Sequence, residues 1–280
     1  MVSRRSFIKG AAALSALTLS TPMLSLGKTP KKTGLALYTI RGEMSLDPGR
    51  TLEGVASLGF NWLESAGYSN GMFYGLKPAE FTALCQSAGL EHISAHLGLS
   101  ENNLDEVAED CAEAGLKYAV LPSLPRSWNS DLEGFRRAAQ FMNKAGEAFR
   151  KQGVSFAFHN HSVEFIPING VIPFKILLTE TDRSIVDFEL DICWITAAGI
   201  DPVAFLAANP GRFKMWHFKD MSKEKKDATL GEGVINFEPI YDLAGSSELK
   251  YHFIEQDNCL THTPMESIEI SRNYLIKKIL

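Results

Sequence analysis

A helix-like stretch that stops at glycine and gives way to a short apolar strand recurs along this chain. Leu58-Gly59-Phe60, Ala88-Gly89-Leu90, Ala114-Gly115-Leu116 and Gln152-Gly153-Val154 are four instances. Glycine just past a helix takes the left-handed conformation that closes the last turn, and the apolar residue after it starts the next strand. The stretches before the glycines are amphipathic. Leu132, Phe135, Ala139, Met142, Gly146 and Phe149 recur at a spacing of three to four and form one buried stripe. Strands are expected at about 34–41, 62–67, 92–97, 118–122, 155–161, 186–192, 213–219 and 251–257, each followed by a helix, the last over about 264–278. Eight strand-helix units predict a closed (β/α)8 barrel of class α/β over residues 33–280. A doubly wound open sheet is the alternative, but no G-x-G-x-x-G or P-loop follows the first strand.

Four late strands each end in ionisable residues. They read Phe158-His159-Asn160-His161 with Glu164 close behind, Glu189-Leu190-Asp191, His217-Phe218-Lys219-Asp220 and Glu255-Gln256-Asp257. The side-chain period of two puts His159 with His161, Glu189 with Asp191, His217 with Lys219 and Glu255 with Asp257 on one face. In a barrel that is where catalytic groups sit. Imidazoles and carboxylates gathered out of water need a partner, and a divalent metal is the simplest one. Mixed His and carboxylate ligands with open positions suit Mn, Mg, Co or Zn.

Within the fifth strand, any two of His159, His161 and Glu164 can approach the metal, leaving the third as general base or substrate contact. Lys219 is placed to polarise a substrate oxygen. His96 ends the third strand as a candidate hydroxyl-binding residue, and Glu64 ends the second as a candidate base. Trp194, Trp216 and Trp128 are candidates to stack on a sugar, although the parity of Trp216 points it toward the helices. None of Cys85, Cys111, Cys193 and Cys259 forms a C-x-x-C pair, and buried unpaired thiols are expected.

The first 27 residues stand apart from the barrel. Ser3-Arg4-Arg5-Ser6-Phe7-Ile8-Lys9 resembles the twin-arginine export motif, and an apolar stretch from Ala11 to Leu19 follows. That stretch is short for a membrane span. Residues 1–27 are therefore expected to be a signal recognised by the twin-arginine export machinery, giving a periplasmic protein. The net charge of -5 argues against a nucleic-acid partner.

In their order and spacing, His159-Asn160-His161-x-x-Glu164-Phe165, Glu189-Leu190-Asp191-x-x-Trp194, His217-Phe218-Lys219-Asp220, Gly231-Glu232-Gly233-x-Ile235-x-Phe237 and Ile254-Glu255-Gln256-Asp257 resemble the xylose isomerase-like barrels, known broadly as sugar phosphate isomerases/epimerases. The resemblance covers roughly residues 33–280 and implies a metal-dependent (β/α)8 barrel with Glu, Asp, His and Glu ligands from strands five to eight. Asp191, His217 and Glu255 match by position. Glu164 is expected as the first ligand, with His159 as the alternative, because many members carry Glu where this chain has His159.

The chemistry so implied is removal of a proton next to a carbonyl of a sugar through an enediolate. His161, Lys219, His159 and Glu64 are then the catalytic candidates, and His96, Trp194 and Asp257 the substrate contacts. The export signal and the His-Asn-His variant resemble an exported subgroup that includes lyases of 3-keto-glycosides. Export and the lack of an arginine cluster favour a non-phosphorylated sugar or keto-sugar. Isomerase or epimerase is the leading expectation, with lyase chemistry or a non-catalytic sugar-binding barrel as alternatives. An abasic-site endonuclease is disfavoured by the charge and the signal. Barrels of this kind often associate, so an oligomer is compatible with the chain.

Overall fold

Eight short parallel strands close on themselves in this chain, in a computed structural model that describes residues 31–280. The expected export segment, 1–27, lies outside the described residues. The strands are β1 (Gly34–Ala36), β2 (Trp62–Ser65), β3 (Glu91–His96), β4 (Tyr118–Leu121), β5 (Ser155–His159), β6 (Val186–Asp191), β7 (Phe213–Phe218) and β8 (Tyr251–Ile254). Each pairs in parallel with its sequence neighbours, and β1 pairs with β8 to seal the barrel. Helices cover the outside, among them Pro48–Ser57, Pro78–Ser87, Leu104–Glu113, Leu132–Lys151 and Pro264–Tyr274. This is the expected (β/α)8 barrel. Among the described residues no helix is long and apolar enough to cross a membrane.

Local chemistry sets the boundaries. Gly59, Gly89, Gly115 and Gly153 all take positive φ, as the helix-stop reading requires. Asp131 caps the long helix by accepting from Gly134 N–H at 2.7 Å. Every strand ends one to five residues earlier than expected, the first and last by the most. The first strand stops at Ala36, and a 3-10 turn, Leu37–Ile40, follows, where Thr39 Oγ1 accepts the Gln256 N–H across the barrel top. The last helix ends at Tyr274 and passes into a π-turn over Leu275–Ile279.

Two apolar layers result from the strand parity. Leu63, Phe158, Phe188, Leu190, Trp216 and Phe218 face outward and pack against helix residues such as Phe81, Phe135, Met142 and Leu177. Inside the barrel, Tyr118, Val120, Ala157 and Met215, with Ala36, Ile93 and Phe253, plug the lower half. Above that plug the inward positions turn polar, and the apolar floor beneath them keeps water out from below. All four cysteines are free thiols, as expected; Cys85, Cys111 and Cys193 are buried, whereas Cys259 is only half-buried.

Candidate metal centre

The C-terminal ends of β5 to β8 bring His159, Asp191, His217 and Glu255 together. One donor atom from each lies within 4.8 Å of all the others, and all four residues are buried. His159 Nε2 stands 3.8 Å from Asp191 Oδ2, and His217 Nδ1 stands 3.1 Å from Glu255 Oε2. Asp191 Oδ1 caps the next helix by accepting from Trp194 N–H at 2.7 Å, which leaves Oδ2 buried with no hydrogen-bond partner. A buried, unpartnered carboxylate oxygen facing imidazoles fits a cation. The His217–Glu255 spacing of 3.1 Å also fits, since ligands about 2.1 Å from one ion lie roughly 3.0–3.4 Å apart when adjacent, and the His159–Asp191 spacing of 3.8 Å is somewhat wider.

Beneath this set lies a second layer. Glu64 Oε1 meets His217 Nε2 at 2.6 Å and His96 Nε2 at 3.0 Å, and Ser94 Oγ donates to Glu64 Oε2 at 2.6 Å. Glu189 Oε2 contacts His96 Nε2 at 2.9 Å, His159 Nδ1 at 3.1 Å and His217 Nε2 at 3.3 Å. Glu189 was not among the expected site residues, yet it touches three imidazoles. Its signal in the sequence is its parity with Asp191.

Electrostatics follow from this crowding. Burial alone would lower His217 and His96, but the carboxylates around them prevail, lifting His217 well above the usual imidazole range and His96 to about 10. Burial holds His159 well below that range, because its one carboxylate bond is opposed by His217 and His96. Burial lifts Asp191 to about 7 despite Lys219. Burial opposes ionisation of Glu189 and Glu255 as well, yet neighbouring cations carry both well below the usual carboxylate range.

Lys219 is buried between acids. Its ammonium lies 3.3 Å from Glu255 Oε2 and 3.7 Å from Asp191 Oδ2, bonds Asp257, and sits 4.9 Å from the Trp194 ring. A cavity of about 400 Å³ opens above, lined by Tyr38, Tyr68, His96, His161, Glu255 and Asp257 among others. Tyr68 is held by donating to Asp110 at 2.5 Å. Neither tyrosine was expected from sequence.

Four expectations are corrected, the first being Lys219 as the group that polarises a substrate oxygen, since it is buried between acids and is not among the cavity-lining residues. Glu164 does not join the converging set; the chain turns after His159, and Glu164 Oε2 accepts the His161 N–H at 2.8 Å, leaving His159 as the β5 member. Glu64 does not face the cavity, because its oxygens are taken by His217, His96 and Ser94. Trp194 stands behind His161, ring centres 5.4 Å apart, and is not among the cavity-lining residues. Trp216 is buried outward, as its parity required, and Trp128 packs on Phe141.

A family model described as a xylose isomerase-like TIM barrel matches residues 52–251. An inosose dehydratase from Clostridium beijerinckii is 25% identical over 167 residues, covering 52% of this chain and 55% of that protein. An inosose dehydratase 2 from Bacillus cereus is 23% identical over the same length. The chain thus spans about half the length of these curated relatives. A sugar phosphate isomerase/epimerase structure from Parabacteroides distasonis superposes with a TM-score of 0.79 at 28% identity, covering 91% of this chain and 96% of that one. The zinc-bound IolI protein shares the fold, with a TM-score of 0.68 at 14% identity over 88% of this chain and 97% of that one.

Proposed function

The chain belongs to the xylose isomerase-like TIM barrel family, and from that premise we propose that it is a metal-dependent enzyme that removes a proton next to a carbonyl of a non-phosphorylated sugar or keto-sugar. The observation that carries this is the buried His159, Asp191, His217 and Glu255 set directly below an open cavity. These four residues would hold a divalent ion of the Mn, Mg, Co or Zn type. Such an ion, when bound, supplies Lewis-acid polarisation of a carbonyl or hydroxyl oxygen.

The chain's own groups divide the remaining work. His161 lines the cavity beside the ion-binding set and is the base that takes the proton. His96 and Asp257 line the same space and orient sugar hydroxyls. Lys219 braces Asp257 and Glu255 from behind rather than reaching the substrate itself. Among the described residues that line the cavity there is no Arg or Lys, which suits a neutral sugar better than a phosphate.

Returning the proton to a neighbouring carbon or to the opposite face completes isomerisation or epimerisation. Departure of a group from the next carbon with its bonding electrons gives elimination instead. The curated relatives are named dehydratases, which favours elimination, including lyase action on 3-keto-glycosides, as the second reading.

Incubation with inosose, ketohexoses and 3-keto-glycosides in deuterated water, with each divalent ion supplied, tests the proposal. Exchange at the carbon beside the carbonyl, lost in Asp191→Ala, His217→Ala and Glu255→Ala, is the expected result; an unsaturated product selects the lyase reading. Tight sugar binding without exchange or product in any combination marks a binding protein. Export to the periplasm is part of the proposal and rests on Ser3-Arg4-Arg5-Ser6-Phe7-Ile8-Lys9. Changing Arg4 and Arg5 to Lys should hold the protein in the cytoplasm, and unaltered export would remove that part.

A further inference from the structure

Each imidazole in the metal set is held from behind by a carboxylate. His159 directs Nδ1 to Glu189 Oε2 at 3.1 Å, so its other nitrogen, Nε2, is the one that faces Asp191. His217 is turned the opposite way. Its Nε2 meets Glu64 Oε1 at 2.6 Å, and its Nδ1 faces Glu255. His96 ties the two carboxylates together, its Nε2 lying 3.0 Å from Glu64 Oε1 and 2.9 Å from Glu189 Oε2. Ser94 fixes the second oxygen of Glu64.

The contacts of 2.6–3.0 Å made by Glu64, and that between Glu189 and His96, have hydrogen-bond lengths and fall at or below the separation that two ligands of one ion keep. Glu189 stands farther from His159 Nδ1 and His217 Nε2, at 3.1 and 3.3 Å, but the widest spacing, 3.8 Å, is in the upper set, and His159 and Glu255 of that set border the cavity. The lower group is therefore a hydrogen-bonded layer, and the upper group is the place for the ion. An ionised carboxylate only accepts, so an imidazole nitrogen held against Glu64 or Glu189 presents N–H to it, and with an ion bound the other nitrogen is the one left to ligate.

We propose that Glu64 and Glu189, bridged by His96, form a carboxylate bracket that fixes the tautomers of the two ligand histidines, so that His159 offers Nε2 and His217 offers Nδ1 to the ion. This rests on the metal-centre reading above. Glu64 and Glu189 are positioning residues, since they act through the histidines. Glutamine in place of either carboxylate keeps the shape but adds a donor and removes the charge, so the tautomer is no longer imposed.

The test uses zinc affinity, measured by chelator competition, and imidazole nitrogen NMR of the zinc-loaded, 15N-histidine-labelled protein. In the wild type, the retained proton is expected on His159 Nδ1 and on His217 Nε2. Glu189→Gln and Glu64→Gln should each weaken zinc binding about 10- to 100-fold, whereas Asp191→Asn, which alters a ligand, should weaken it further. Circular dichroism checks that the variants fold, and the wild-type NMR result does not depend on them.

Wild-type affinity in both glutamine variants overturns the bracket while leaving the metal centre intact. So does ligation of His217 through Nε2. Loss in Glu189→Gln as complete as in Asp191→Asn makes Glu189 a ligand and also overturns it. Zinc held equally by the wild type and Asp191→Asn overturns the metal-centre reading, and the bracket with it.

Discussion

Lys219 shows how much a single buried charge can govern. Its ammonium serves Asp191, Glu255 and Asp257 at once. Lys219→Met takes the ammonium from three carboxylates, leaving Glu255 only His217, and removing one partner of a buried ion pair costs about 3–5 kcal/mol. We expect that loss in urea denaturation of the metal-free protein, and a smaller one with saturating metal, because the ion takes over part of the neutralisation. An equal loss in both states would mean that no ion reaches these carboxylates. The histidine and carboxylates at strand ends were legible in the sequence because a period of two places them without knowledge of their neighbours. The exclusion of Glu164 was not legible. It depends on Asn160, whose Oδ1 accepts the Asp191 N–H at 3.1 Å, tying the end of β5 to β6 as the chain turns, and on the turn that hands the His161 amide to Glu164.

At the scale of elements, Asp220 joins two of the motifs. Its carboxylate accepts from the backbone N–H groups of Met221, Gly231, Gly233 and Ile235, folding the Gly231-Glu232-Gly233 loop over the end of β7. A Cβ at Gly233 would lie 2.2 Å from Asp220 Oδ1, so the glycine is the space the carboxylate needs. Asp220→Ala strands these amides and should cost about 2–3 kcal/mol, read as faster hydrogen exchange at Gly231, Gly233 and Ile235. Unchanged exchange would assign the loop's order to other contacts. Gly146 decides between two opposed effects. Alanine in a helix interior gains about 1 kcal/mol over glycine, but a Cβ here would stand 2.6 Å from the Ile185 carbonyl oxygen. Overpacking costs about 1–3 kcal/mol, so Gly146→Ala should lower stability in thermal unfolding; a rise would show that the helix can shift away from β6.

For the whole molecule, acid stability follows from histidines buried outside the site. Burial pushes His92 down to about 3 and His252 to about 4. An unfolded imidazole binds its proton near pH 6.5. Above that pH neither state carries the proton, and the stabilisation is fully present. Between pH 6.5 and about 4 the unfolded state binds more protons, so stability falls as pH falls, by about 1.4 kcal/mol per pH unit for each group. His252 lies among Trp62 and Phe218, and its Nε2 has no hydrogen-bond partner. His252→Phe should flatten the stability profile between pH 6 and 4.5 by about one proton's slope. A parallel profile would mean that this imidazole is already charged in the fold.

The sequence by itself determined the barrel, its eight strands, the faces they turn inward and the ionisable residues at their upper ends. These depend on helix stops at glycine and on a period of two, both properties of neighbouring residues along the chain. Only the tertiary structure decided which groups meet. Glu64 of β2 reaches His217 of β7 at 2.6 Å across 153 residues of chain, and Glu189 gathers imidazoles from three strands. Closing the barrel brings non-adjacent strands within hydrogen-bond distance across its interior. No local pattern encodes that proximity, because it is a product of curvature and closure, and it divides the inward acids into those that face the cavity and those that hold the histidines from below.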